Sequence, residues 1–314
     1  MPKCYLYVFA LFFIGCKGFE AETKGNQELG KIYGLNGEVY STPSFSKEKK
    51  DELELNLADA KAIFENDPSE DNYIWYARRL AYLYRFDEAM DVFAKGLEVY
   101  PRSFKLLRHR GHRYISIRQL DKAIDDLSKA AALAQGESLE IEPDGIPNKL
   151  NIPLSNYHFN IYYHLGLAYF LKGDYSNAAN AYDQCMIFSD NNDLKIATAD
   201  WMYMTKQRLN QMEDAQKFIN TIDDELEVIE NDSYLQRIKL YKGKVDVNDV
   251  LNVDAADADL ELKLATQGYG VANWYLVQKD TVKAVAILTE ILKSSSVTAF
   301  GFIAAEADLN RLNK

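Results

Sequence analysis

Eight of the eleven arginines lie between Arg78 and Arg118, and all four histidines lie between His109 and His164. In a 314-residue chain with a net charge of -11, this is a local reversal of sign. The densest part is Lys105 to Ser116 (KLLRHRGHRYIS). At about 100° per residue on a helix, Leu107, Gly111 and Tyr114 share one face. Lys105, Arg108, His112 and Ser116, spaced by three or four, share the opposite one. Arginine's planar fork matches a carboxylate bidentately, so the chemistry on offer is capture of a carboxylate-bearing ligand by Arg78, Lys105, Arg108, His109, His112 and Ser116. An internal network, with Arg and His paired to carboxylates of neighbouring segments, accounts equally for the same residues.

Other chemistry has weaker support. His109 and His112 stand at i, i+3 with His158 and His164 further on, but no cysteine or spaced carboxylate completes a familiar metal site. No metal or cofactor is expected. The chain has no G-x-S-x-G, Walker loop, H-E-x-x-H or C-x-x-C, and its paired carboxylates (Asp125-Asp126, Asp223-Asp224) suit solvated faces or helix ends. No catalytic residue is assigned. The acidic balance argues against a nucleic-acid partner, since such affinity comes largely from neutralising phosphates.

The elements that position the basic helix repeat. Arg85-Phe86-Asp87-Glu88-Ala89 is followed thirty-four residues on by Leu120-Asp121-Lys122-Ala123, and after an insertion by Gly173-Asp174-Tyr175-Ser176-Asn177-Ala178. Met212-Glu213-Asp214-Ala215 and Asp280-Thr281-Val282-Lys283-Ala284 follow. Each unit carries two helical patterns. A single helical hairpin cannot bury its apolar face, so such units stack and share one core.

This pattern resembles the tetratricopeptide repeat (TPR) family. The third unit carries Tyr162, Leu165, Gly166 and Tyr169 on its first helix, then Ala178, Tyr182 and Cys185. The second carries Leu107, Gly111, Tyr114, Ala123, Leu127 and Ala130; the first carries Tyr73, Ala77, Leu80, Ala89, Phe93, Gly96 and the closing Pro101. Ala272, Tyr275, Ala284, Leu288 and Ile291 mark the sixth. Units four and five depart from the pattern, with Tyr203 and Arg237 where a small residue is expected and Asp249 in place of the central Ala. The resemblance implies an all-α, right-handed solenoid of about six hairpins with capping helices. It also implies that the face of Lys105, Arg108, His112 and Ser116, with Arg78 at the equivalent position of unit one, lines a concave groove. Gly111 and Gly166 each cost about 1 kcal/mol inside a helix, which is intelligible where two helices pack too closely for a Cβ.

The layout that follows has an N-terminal capping helix over 47–69, units one and two over 70–137, an insertion over 136–158, units three to six over 159–298, and a C-terminal cap over 299–314. The insertion carries three of the seven prolines and the acids Glu137, Glu140, Glu142 and Asp144. It adjoins the basic helix and is expected to act as a lid or a permanent plug.

Lys3 and the apolar run Tyr5 to Gly15 fit a secretory signal; eleven residues are too few to span a bilayer as a helix, which takes roughly 20. Its end, Phe13-Ile14-Gly15-Cys16, resembles the lipobox of bacterial lipoproteins, with Phe13 where that family most often has Leu. The resemblance implies a signal peptide over 1–15, acylation of Cys16, a tether over 16–46 and a place on the bacterial cell envelope, the membrane being reached through the lipid. A conventional signal cleaved a few residues later is the alternative. Cys185 is then the one other cysteine of the mature chain, and it falls at a core position of the repeat. Lipobox and repeats together resemble envelope lipoprotein adaptors, which implies a protein-binding scaffold that takes a partner's acidic or C-terminal carboxylate. Capture of a small ligand or glycan, or an enzyme with an unrecognised His/Arg site, are the alternatives.

Overall fold

The computed structural model describes residues 31–145, 148–251 and 260–313. The segment expected as a signal peptide, and Cys16, lie outside the described residues. A short antiparallel hairpin, β1 (Lys31–Tyr33) and β2 (Val39–Ser41), leads into α1 (Lys47–Asn66), which Ser46 caps by accepting from the Lys49 amide. Five helical hairpins follow: α2 (Glu70–Tyr82) with α3 (Phe86–Val99), α4 (Phe104–Ser116) with α5 (Leu120–Ala134), α6 (Tyr157–Lys172) with α7 (Tyr175–Ile187), α8 (Asn192–Arg208) with α9 (Met212–Thr221), and α10 (Asp232–Tyr241) with the short α11 (Val247–Val250). The last unit starts with α12 (Leu260–Lys263), passes through a π-helical turn at Leu264–Gly268 into α13 (Tyr269–Val277), and returns as α14 (Thr281–Ile291). The chain ends on α15 (Phe300–Leu312).

From α1 to α11 each helix packs on its successor, and first helices also touch across units, as α2 does α4 and α4 does α6. The repeat positions form the shared core: Ala77, Leu80, Ala89, Phe93, Ala123, Leu127, Ala178, Tyr182, Ala284 and Leu288 are all fully buried. Gly111 and Gly166 sit where the two helices of a hairpin approach closely. A Cβ on Gly111 would come 2.7 Å from the Leu127 side chain, and one on Gly166 would come 2.7 Å from the Tyr182 ring. Cys185 is fully buried and free, with its thiol pushed up to about 12 by burial, which leaves it unreactive. Phe93→Ala is expected to lower unfolding stability by about 3–5 kcal/mol, read from urea denaturation, because a fully buried ring leaves a cavity between two hairpins.

Two segments differ from their sequence reading. Residues 31–46, expected as the distal part of a tether, are folded onto the body. Ile32 is fully buried, the Leu35 amide donates to Glu306, and the Tyr40 ring meets Phe302 edge-on at 5.1 Å. The apolar side chains of these short strands are few, and burial comes only from a surface the far end of the chain supplies. The segment 299–314, expected as a C-terminal capping helix, forms α15 and reaches beyond the last hairpin to earlier units. α15 packs against the π-helical turn, α13, α14 and α6, and reaches the turn after α4 through Arg118–Glu306 at 3.1 Å. Asp308 is held by Arg208 at 2.6 Å and by the Tyr269 hydroxyl at 3.0 Å. Glu306 and Asp308, each 1% exposed, count as a polar face in the sequence but are the buried anchors of the helix.

Candidate binding groove

The concave face of α2, α4 and α6 is set by the same periodicity that buries their apolar faces, so their polar residues converge on one side. The insertion lies across it. Its arm, residues 137–142, is extended: Glu142 N donates to Ser155 O, Tyr157 N donates to Glu140 O, and Ile141 bridges Asn156. Extended backbone sends alternate side chains to opposite sides. Leu139 and Ile141 therefore face solvent, about half exposed, while Glu140 and Glu142 meet the basic helix.

Four of the six residues picked from the sequence gather on this arm. Lys105 pairs with Glu140 at 2.6 Å, and Arg108 pairs with Glu142 at 2.8 Å with both side chains buried. His109 Nε2 lies 3.7 Å from Glu142 Oε1. Arg78 donates to the Pro143 carbonyl at 3.0 Å and to the Tyr82 hydroxyl at 3.2 Å, with its guanidinium 4.3 Å over the Trp75 ring. The other two go elsewhere. His112 lies beside His164, ring centroids 4.3 Å apart, with Phe300 at 5.5 Å, and the Ser116 hydroxyl donates to the His112 carbonyl within its own helix.

In this structure the basic residues are paired as the internal-network reading has it: the carboxylates they meet, Glu140 and Glu142, are the chain's own. The cations still outnumber them. Arg78, Arg108 and Arg113 are close enough to perturb one another, and Arg113 has no carboxylate within ion-pair distance among the described residues. Burial, reinforced by Arg108 and Arg78, brings the Arg113 guanidinium down to about 10. Burial likewise holds His109, His112 and His164 well below 6.5, with neighbouring arginines adding to it, so these imidazoles are neutral at pH 7.

Sequence reasoning missed Asn160, whose side-chain amide donates to Glu142 at 3.0 Å and to Ser155 Oγ at 2.8 Å. It also missed Arg113, which is five residues from Arg108 and lies off the face chosen on the helical wheel; no local signal singles it out. Among the described residues no group of three or more His, Cys, Asp or Glu is placed to hold a metal ion, and no helix is long and apolar enough to cross a membrane.

No protein-family model matches the chain, and no curated protein matches it. Among solved structures it is similar to a tetratricopeptide repeat protein from Parabacteroides merdae, at 13% identity and a TM-score of 0.47 over 82% of this chain and 94% of that one. It is also similar to YrrB, a TPR protein with an unusual peptide-binding site, at 15% identity and a TM-score of 0.40 over 79% and 96% of the two chains. Naa15/Naa10 bound to HypK-THB matches at 14% identity and 0.37, over 78% of this chain and 35% of that one. The stacked hairpins described above make this chain an all-α solenoid with TPR-like units.

Proposed function

We propose that the protein is a binding scaffold whose concave groove holds an extended acidic segment of a protein partner, the chain's own arm being the resting occupant. The observation that carries this reading is the seat of Glu140 and Glu142: an extended strand with carboxylates at alternate positions, held by Lys105 and by Arg108. Charge-assisted pairs of this kind are among the stronger polar contacts, and their spacing selects for acids two residues apart. Acylation of Cys16 on the bacterial cell envelope completes the proposal; it rests on the lipobox-like end of the signal sequence. A Cys16→Ser chain should move from the membrane to the soluble fraction.

The groove is tested with a labelled peptide copying Ser138 to Gly145. A tethered arm competes at an effective concentration on the order of mM. A chain whose residues 137–155 are replaced by a short Gly/Ser linker should therefore bind the peptide at least about tenfold more tightly than the natural chain. Arg108→Glu in the linker background should abolish that binding. Absence of saturable binding by a linker chain that retains its helical circular dichroism would make the arm a fixed wall. That second reading is favoured by Glu142 being only 4% exposed and bonded to Asn160.

A further inference from the structure

Beside the groove, where α1 meets the first two hairpins and Gly145 of the insertion, lies a second feature: a cavity of about 320 Å³. Its apolar lining comes from Leu53, Ala81, Tyr82, Phe86 and the pair Phe45–Tyr84, stacked at 5.5 Å. Its charges are Lys49, Arg79 and Arg113 against one carboxylate, Glu52, and Glu52 is already bridged to Lys49 at 3.0 Å. Arg79 and Arg113 therefore line the cavity with no carboxylate of their own among the described residues. The polar contacts of Arg113 are to the neutral His112 ring, nearest at 3.0 Å, and Arg79 lies over the faces of Trp75 and Tyr82 at 5.0 and 5.8 Å. A guanidinium offers five donors in a fixed fork, and withdrawing it from water without an anion is costly.

The contrast with the other cavities is informative. The larger one between the β-hairpin and α14–α15, about 650 Å³, is polar, and its buried carboxylate, Glu306, is held by Arg118. The one lined by Trp201, Tyr234 and Arg237 has its guanidinium paired with Asp200 at 2.5 Å. Only around α1 do apolar walls and unbalanced guanidinium groups coincide among these three.

We propose that this cavity is a binding site for a small organic anion, its carboxylate or phosphate-type head on Arg79 and Arg113 and its apolar body against Leu53, Tyr82, Tyr84 and Phe86. The volume sits at the lower end of ligand pockets, roughly 300–1,000 Å³, so the ligand is of one-ring or short-chain size, too small to be a polypeptide segment. Two guanidinium forks supply orientation as well as attraction, because each can take an oxyanion bidentately. The site shares Tyr82, Arg113 and the insertion's Gly145 with the edge of the groove, so it is tested on the full chain with the insertion in place.

Isothermal titration of the full chain with phenylacetate, phenyl phosphate, phenylacetamide and acetate tests the proposal. Phenylacetate or phenyl phosphate should bind saturably, the tighter of the two naming the head group. Phenylacetamide, which lacks the charge, and acetate, which lacks the ring, should each bind at least about tenfold more weakly. Arg113→Gln and Arg79→Gln should each weaken anion binding about tenfold or more, whereas Arg102→Gln, at an exposed position, should leave it unchanged. Arg113→Gln should melt at or above the natural chain, because it removes a half-buried charge that no carboxylate compensates. The proposal is overturned by equal binding of phenylacetamide and phenylacetate, or by no saturable binding of either anion up to about 1 mM. A loss of more than about 4 °C in Arg113→Gln, making that cation structural, overturns it as well.

Discussion

Asp200→Ala should destabilise the chain by about 3–5 kcal/mol, the usual consequence of leaving one member of a buried ion pair alone. Asp200 on α8 is fully buried and Arg237 on α10 is 1% exposed, their charged atoms 2.5 Å apart. Arg237 also donates to the Thr266 carbonyl at 2.9 Å and to the Tyr241 hydroxyl at 3.3 Å. Without the carboxylate, a guanidinium would remain among apolar and aromatic groups with its charge uncompensated. Replacing both, as Asp200→Leu with Arg237→Met, should recover most of the loss, since an apolar pair forgoes the desolvation cost that the ionic pair must overcome. Urea denaturation of the two single variants and the double variant measures this directly. A double variant as unstable as Asp200→Ala would mean that shape, not charge, is what α8 and α10 need at this contact.

The second large effect is with pH. His109, His112 and His164 are held neutral in the folded chain, whereas in the unfolded chain each takes up a proton near pH 6.5. Below 6.5 the unfolded state therefore binds more protons than the folded one. Stability rises with pH through this window and is lost as pH falls. Between pH 6.5 and 5.5 each imidazole contributes about 1 kcal/mol, so the three together lower stability by about 3 kcal/mol. Asp200, which burial pushes up to about 6, works in the opposite direction, as one group against three. Denaturation midpoints at pH 7.0, 6.5 and 5.5 give the slope. A flat profile would mean that the imidazoles take up protons inside the fold as readily as in the unfolded chain, and a triple His→Gln chain should lose the fall in stability below pH 6.5 and keep only the opposite slope from Asp200.

Repeats were legible wherever a position's size is dictated by a contact inside one hairpin. Ala89, Ala123 and Ala178 recur because the two helices of a unit touch there, and Gly111 and Gly166 mark crossings where a Cβ has no room. Arg237 breaks that rule, and its compensation lies in another unit: a Cβ on Gly270 of α13 would collide with the Arg237 side chain. A large residue in one repeat and a missing side chain in the next are separate irregularities on the page and one fit in space.

The basic cluster and the acidic insertion beside it were both visible in the residues, and so were the two ways of combining them. Which prevailed depended on the path of the arm, because Glu142 reaches Arg108 only if 137–142 is extended and paired to 155–157. The place of α15 was likewise beyond local pattern. Its buried carboxylates Glu306 and Asp308 look like a solvated face until Arg118, Arg208 and Tyr269, from distant parts of the chain, are brought to them. Hairpin formation depends on neighbours in sequence, so periodicity and composition are enough to determine it for this protein. Which charges meet, and which cavity keeps guanidinium groups without carboxylates, depends on how successive hairpins are rotated and on where the chain's two ends return. Those are sums over long-range contacts, and only the tertiary structure decides them.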